Sequence, residues 1–472
     1  MNTREQIIAS NIEFGTSGAR GLVSEFSDEV TFSYVTNFIK YMEKKFVFSS
    51  VAVGIDNRPS SYSIACACAL AIESSGYSVE FYGVIPTPAL ALQSLSSLVP
   101  SVMVTGSHIP FDRNGLKFYR PDGEITKDDE KIICETSYDV SFVENSTVLL
   151  EELSTAKELY IERYVKIFSN GFLSGKHIGI YEHSSAGRDL YFQLFTELGA
   201  KVTSLERSDV FVPIDTEAVS IKDRAKARNW SSEYSFDAIF STDGDGDRPL
   251  VADENGEWLR GDSLGLLCAR ALNIQAIAIP VSCNSLIEQS LPNTLVIRTR
   301  IGSPYVIEAF PSLMQKVSSV AGFEANGGFL LGSDIVFNHM KLNALPTRDS
   351  VLPFLMLMYL AQSKSISALT AELPKRVSIS DRVTGFPKEK SKSLLDDIEH
   401  NPSFFLSRIF GESIDVESID RTDGLRMTLD NEDIIHLRPS GNAPEFRCYV
   451  EATNLKKAEY NLNHIISFLS DY

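Results

Sequence analysis

The sequence predicts an α/β protein of three similar βαβ mixed-sheet domains followed by a smaller α+β C-terminal domain, on three observations. Short β-rich runs alternate with helical patterns, the rhythm restarts twice, and beyond about residue 374 it gives way to strands broken by turns. At 472 residues the chain is longer than one hydrophobic core usually grows and divides into about three or four parts.

The first unit has a β-rich run at 51–55, a helix-like stretch at 60–74, and strand-like runs at 79–82 and 101–104. Short apolar runs separated by helical stretches are the pattern of βαβ crossovers. The rhythm restarts with 177–181, helical 187–198, and strand-like 201–205 and 238–241. It restarts again with 276–281, helical 284–291, strand-like 294–299, a further helix and 318–321. The last region reads as strands at 418–421, 425–429, 433–437 and 446–452, closed by a helix over 456–470. Joints near 143–156, after Asp253 and at 373–375 divide the chain into 1–145, 146–254, 255–373 and 374–472.

Composition narrows the function. A chain with 43% hydrophobic and 22% charged residues is an ordered globular protein. Its formal net charge of -18 repels nucleic acid and anionic lipid over most of the surface, so an anionic ligand has to be captured in a locally basic cleft. A small phosphorylated substrate fits that balance better than a polymer. The six cysteines show no CxxC spacing and mostly sit in apolar runs, as reduced core cysteines do. Residues 1–10 carry Arg4 and Glu5 and lack an apolar h-region. No apolar run approaches about 18 residues, so no membrane span is expected and the expected location is the cytoplasm.

Four loops follow predicted strands, where open α/β sheets place ligand-binding groups. In Thr105-Gly106-Ser107-His108-Ile109-Pro110 a strand runs into a turn that displays the Ser107 hydroxyl beside a histidine, which suits nucleophilic or phosphoryl-carrier chemistry. In isolation such a pair is more often an ordinary turn. Lys117, in the tight turn that follows, is a candidate cation or a solvated surface lysine.

Asp243-Gly244-Asp245-Gly246-Asp247-Arg248 alternates three carboxylates with glycines that let the backbone fold them around one hard cation, and Arg248 suits a phosphate oxygen. The alternatives are a polar hairpin turn or an EF-hand loop. The EF-hand fits poorly, because its sixth position would be Arg248 where its sharp turn needs glycine. Glu324 and Asn326, on a glycine-rich loop, suit hydrogen bonding to vicinal sugar hydroxyls. Arg438, Ser440, Gly441, Asn442 and Arg447 make a dianion cradle, or else a proline-rich hairpin with a solvated arginine face.

Preceded by Phe14-Gly15-Thr16-Ser17-Gly18-Ala19-Arg20-Gly21, these loops in this order resemble the α-D-phosphohexomutase superfamily of phosphomannomutases, phosphoglucomutases and phosphoglucosamine mutases. The resemblance covers essentially the whole chain. It implies four domains around a central active-site cleft, each contributing one loop, and a phosphoserine at Ser107. It further implies one magnesium ion per chain held by phospho-Ser107, Asp243, Asp245 and Asp247, with Arg20, His108 and Lys117 near the transferring group. The cradle then grips either phosphate of a hexose 1,6-bisphosphate that is formed, reorients and returns a phosphate to the serine.

The activity so implied is phosphomannomutase, with phosphoglucomutase (or a dual enzyme) and phosphoglucosamine mutase as alternatives. A metal-dependent sugar phosphatase and a non-catalytic sugar-phosphate binding protein are alternatives of another class. The expected partners are small hexose phosphates, with no nucleic acid or membrane, in a monomer or weak homodimer. Three departures from the commonest family forms stand out. Gly106 is expected to loosen the serine loop and Ile109 to remove a polar contact. Asn326 and Phe329 in the sugar loop, and Asn442-Ala443 in the cradle, leave the preferred sugar open.

Overall fold

The computed structural model describes residues 1–142, 148–169, 171–440 and 445–472. Four main sheets carry the architecture, and the first three share one wiring. In the first, strand Ser50–Ile55 lies between Ser78–Val84 and Ser101–Val104, parallel to both; Arg113–Arg120 then returns antiparallel beside Ser101–Val104. In the second, His177–Tyr181, Lys201–Leu205 and Ala238–Thr242 are parallel and Pro249–Ala252 returns antiparallel. In the third the same places are taken by Ala276–Pro280, Leu295–Thr299, Val320–Phe323 and the returning Phe329–Leu331. The serine loop, the acidic loop and the sugar loop therefore occupy one topological position three times, between a parallel strand and its antiparallel return.

The central parallel strands are buried along nearly their whole length, as Val51, Ala52 and Val53 illustrate at 0% exposure, because helices cover both faces of such sheets, while the edge strands Ser78–Val84, Lys201–Leu205 and Leu295–Thr299 are partly exposed. One apolar core runs from Ala52 and Met103 through Tyr160, Phe195 and Phe240 to Phe354 and Leu373, joining the first three sheets. The fourth sheet is wholly antiparallel, in the order Val377–Thr384, Glu445–Ala452, Ile434–Pro439, Leu425–Leu429, Val416–Asp420. It has its own core around Ile398, Leu406, Met427, Val450 and Ile465, closed by helix Leu455–Asp471.

Two sequence expectations shift. The helix expected over 284–291 is only Leu286–Ser290, because the Asn284 side chain accepts from Leu286 N–H at 2.8 Å while donating to the Arg376 carbonyl and the Ser378 hydroxyl. Strand Val377–Thr384 was not expected, because only Val377, Ile379 and Val383 of its 8 residues are apolar, as suits a strand at a sheet edge.

Candidate active site

The serine loop leaves strand Ser101–Val104 and places Ser107, fully buried, at φ +54, a left-handed conformation that costs a non-glycine residue on the order of 1 kcal/mol. The Thr105 hydroxyl oxygen accepts the Ser107 N–H at 2.8 Å. A residue that sequence reasoning passed over, Arg58, clamps the loop. Its Nη1 donates to the carbonyls of Pro110 and Arg113 (2.6 and 3.0 Å) and its Nη2 to those of Ser107 and Ile109 (2.8 and 2.6 Å). Its Nε pairs with buried Asp56 at 3.1 Å, and its face lies 4.0 Å from the Phe211 ring centre. Gly106 therefore does not loosen the loop. A Cβ there would sit 2.6 Å from Arg58 Cζ, so the glycine is what lets the clamp close.

Ser107 Oγ donates to Asp243 Oδ2 at 2.6 Å. Carboxylate oxygens of Asp243, Asp245 and Asp247, all buried, lie within 4.8 Å of one another. Lys117 Nζ donates to Oδ2 of both Asp245 and Asp247 (2.5 and 2.7 Å). Thr87 Oγ1 donates to the same Asp245 oxygen at 2.6 Å. The other oxygens, Asp245 Oδ1 and Asp247 Oδ1, are buried without a hydrogen-bond partner among the described residues. Orphaned carboxylate oxygens converging in a buried site are the hard donor set of a divalent cation, and the residues fit one. Burial and the two neighbouring carboxylates push Asp243 well above the usual range. Burial also opposes ionisation of Asp247, but Arg348 and Lys117 outweigh it and hold that carboxyl far below the usual range.

Arg248 Nη1 donates to His108 Nδ1 at 3.0 Å. An arginine only donates, so Nδ1 carries the lone pair and the imidazole is neutral with its proton on Nε2. The same cation, followed by burial and Arg20, drives the His108 pKa down to about 2. Arg20, lining the same cleft, is pushed down to about 10 by burial and then by Arg248, and its Nε lacks a hydrogen-bond partner among the described residues. Two cations held close together mark a place prepared for an anion.

The sugar loop is tied to this centre by Arg348, a second residue that sequence reasoning missed. It is 1% exposed. Nε donates to Asp247 Oδ2 (2.9 Å), Nη1 to Ser303 Oγ (2.9 Å) and Glu324 Oε2 (3.1 Å), and Nη2 lies 2.8 Å from Asp247 Oδ2. A Cβ on Gly328 would meet Arg348 Cδ at 2.6 Å. Phe329, by contrast, is fully buried and stacks on Phe323. Its side chain belongs to the core and is not among the residues that line the cleft.

Glu324 and Asn326 line a cleft of about 1480 Å³ together with Arg20, His108, Arg248 and, on the far side, Arg438, Ser440 and Arg447. Asp215 and Glu217, from the 206–220 loop, line it too, and the Thr216 hydroxyl between them donates to the Asn326 carbonyl at 3.0 Å. Arg438 and Arg447 face each other across neighbouring strands. Gly441 and Asn442, expected in the cradle, lie outside the described residues.

Two family models match the chain: alpha/beta/alpha domain I of phosphoglucomutase/phosphomannomutase over residues 11–143, and domain III over 260–377. A phosphomannomutase of Salmonella muenchen is 56% identical over 457 residues, covering 97% of this chain and 95% of that protein. The chain belongs to the phosphoglucomutase/phosphomannomutase family. Its fold matches that of a phosphoglucomutase/phosphomannomutase family protein from Burkholderia thailandensis at a TM-score of 0.73 and 18% identity, covering 97% of each chain. It also matches an N-acetylphosphoglucosamine mutase of Aspergillus fumigatus, solved with GlcNAc-6P and magnesium, at a TM-score of 0.61 and 12% identity, covering 99% of this chain and 98% of that one. Among the described residues, no helix of this family member is long and apolar enough to cross a membrane.

Proposed function

We propose that the protein is a phosphomannomutase, interconverting mannose 1-phosphate and mannose 6-phosphate through a phosphoserine at Ser107 and a hexose 1,6-bisphosphate. The observation that carries this reading is the contact of the Ser107 hydroxyl with Asp243 inside a buried triad of carboxylates. A hydroxyl aimed at three acids can carry a phosphoryl group only if a cation offsets the charge, and the orphaned oxygens of Asp245 and Asp247 accommodate one. The 56% identity to a phosphomannomutase supports the choice of sugar.

In this reading 1–145, 146–254, 255–373 and 374–472 each carry one loop of the cleft. Asp243, Asp245 and Asp247 hold one magnesium ion, the metal present with an N-acetylphosphoglucosamine mutase of the same fold. The ion supplies charge neutralisation at the phosphoryl oxygens. Arg20 and Arg248 hold the transferring phosphoryl group in line. The P–O bond to Ser107 Oγ breaks as a bond to the sugar hydroxyl forms, and the hydroxyl proton leaves to a neighbouring acceptor. Glu324 Oε2 is held by Arg348, which leaves Oε1 to accept from a sugar hydroxyl. Arg438, Ser440 and Arg447 grip the phosphate that is not transferring. After the bisphosphate turns, the same cradle grips the other end, so it reads a dianion rather than a sugar carbon.

The test is to follow mannose 1-phosphate, glucose 1-phosphate and glucosamine 1-phosphate with magnesium and a trace of the matching bisphosphate. Mannose 1-phosphate is expected to isomerise fastest, the activity to vanish with a chelator, and Ser107→Ala to be inactive. Phosphate release outpacing isomerisation, or full activity of Ser107→Ala, overturns the reading.

A further inference from the structure

The fourth sheet sets a third arginine, Arg382, which no loop motif announces, in line with the two of the cradle loop. Its register sets Arg447, on strand Glu445–Ala452, directly opposite Arg438 on one side and Arg382 on the other. Residues directly opposite on neighbouring strands share a face, so three guanidiniums stand abreast, and all three line the cleft. Like charges so placed repel unless something negative is set against them.

The carboxylates at hand are too few. Glu445 is shared, with Oε1 3.5 Å from Arg382 and Oε2 3.3 Å from Arg447. Asp423 stands 3.4 Å from Arg438. The Arg447 Nε is buried with no hydrogen-bond partner among the described residues. Three cations against these two carboxylates leave one positive charge on this wall of the cleft. A phosphate monoester dianion has three terminal oxygens, enough for three guanidiniums.

We propose that Arg382 is the third guanidinium of the phosphate-binding face, so that the dianion cradle extends from Arg438 and Arg447 onto strand Val377–Thr384. The assignment rests on the mutase reading for its ligand, the non-transferring phosphate of a hexose phosphate. Its chemistry, a phosphate dianion held by three arginines, can be tested without turnover. Arg382 is 57% exposed at the side chain, so its replacement leaves the core intact.

The experiment compares Arg382→Gln and Arg382→Lys with the parent, by calorimetric titration with inorganic phosphate without divalent cation and by initial rates on mannose 1-phosphate. Arg382→Gln is expected to weaken phosphate binding about ten-fold and raise KM by a similar factor, on the scale of one charged hydrogen bond, with kcat within about three-fold of the parent. Arg382→Lys should recover part of the loss, as a single point donor does. Phosphate binding equal to the parent's in Arg382→Gln overturns the assignment. So does a loss that disappears when Glu445→Gln is added, because Arg382 would then act only by occupying Glu445. A parent that binds phosphate with this dependence and turns over no hexose phosphate upholds the assignment and sinks the mutase reading alone.

Discussion

Gly106 and Arg58 should behave as one unit in a double-mutant cycle. A Cβ built on Gly106 has as its three nearest neighbours Arg58 Cζ, Nε and Nη2, at 2.6, 2.7 and 2.9 Å, so Gly106→Ala has to displace the guanidinium by nearly an ångström. Overpacking of that kind costs about 1–3 kcal/mol. Because the displaced group holds the Ser107 loop, the cost should appear as a fall in kcat of about 5–150-fold. Arg58→Ala removes the donors to four loop carbonyls. Each charged bond contributes about 1.5–3 kcal/mol, but freed carbonyls regain water, so a net loss near that of one bond is expected, about 10–150-fold in kcat.

In the Arg58→Ala background the added methyl of Gly106→Ala no longer meets its three nearest neighbours, all Arg58 atoms, and its further cost should be under about two-fold. The expected coupling energy is therefore about 1–3 kcal/mol. Initial rates of mannose 1-phosphate isomerisation for the four proteins, with intact mass to report phosphorylation of Ser107, measure it. Strictly additive penalties would refute the argument that Gly106 exists for the approach of Arg58.

Two further outcomes follow from buried groups. Arg348→Met leaves Asp247 and Glu324 without their shared partner, and breaking a buried pair costs about 3–5 kcal/mol; Arg348→Lys should fold but lose at least ten-fold in kcat/KM, checked by urea unfolding beside the kinetics. The pKa of His436, buried with Nε2 donating to the Asp423 carbonyl at 2.6 Å, is depressed by burial from 6.5 to about 4. The folded ring stays neutral where the unfolded one takes a proton, so its contribution is complete above pH 6.5 and is lost as pH falls from 6.5 toward 4, by up to about 3 kcal/mol. The urea midpoint of the parent should therefore fall between pH 7.5 and pH 5 by more than that of His436→Gln, and equal falls would contradict the assignment.

Much of the site was legible because its chemistry clusters in sequence. Asp243, Asp245 and Asp247 alternate with glycines within five residues, and a local pattern survives whatever the tertiary fold does. Ser107 needed company, since a serine in a turn means little until a metal loop and a cradle are found at matching positions. Arg58, Arg348 and Arg382 were not legible, for a common reason. Each acts across the chain, Arg58 on carbonyls about fifty residues away and Arg348 on Asp247, and a lone arginine in a sequence has no address until strands are paired. The return strands Arg113–Arg120, Pro249–Ala252 and Phe329–Leu331 were hidden for a related reason. They begin inside the very loops that were read as chemistry.

That triple use of one hairpin position separates what the protein must keep from what it can change. The sheet fixes where a loop tip emerges and in which direction it points, while the tip's own residues decide whether it offers a hydroxyl, a metal ligand or a hydrogen-bonding pair. Exchanging residues 324–328 for another tip of equal length leaves the ladder between Val320–Phe323 and Phe329–Leu331 untouched. In the proposed reading, sugar preference changes with the side chains at 324–326, with Gly327 kept for its φ of +89 and Gly328 kept without a side chain for as long as Arg348 lies across it.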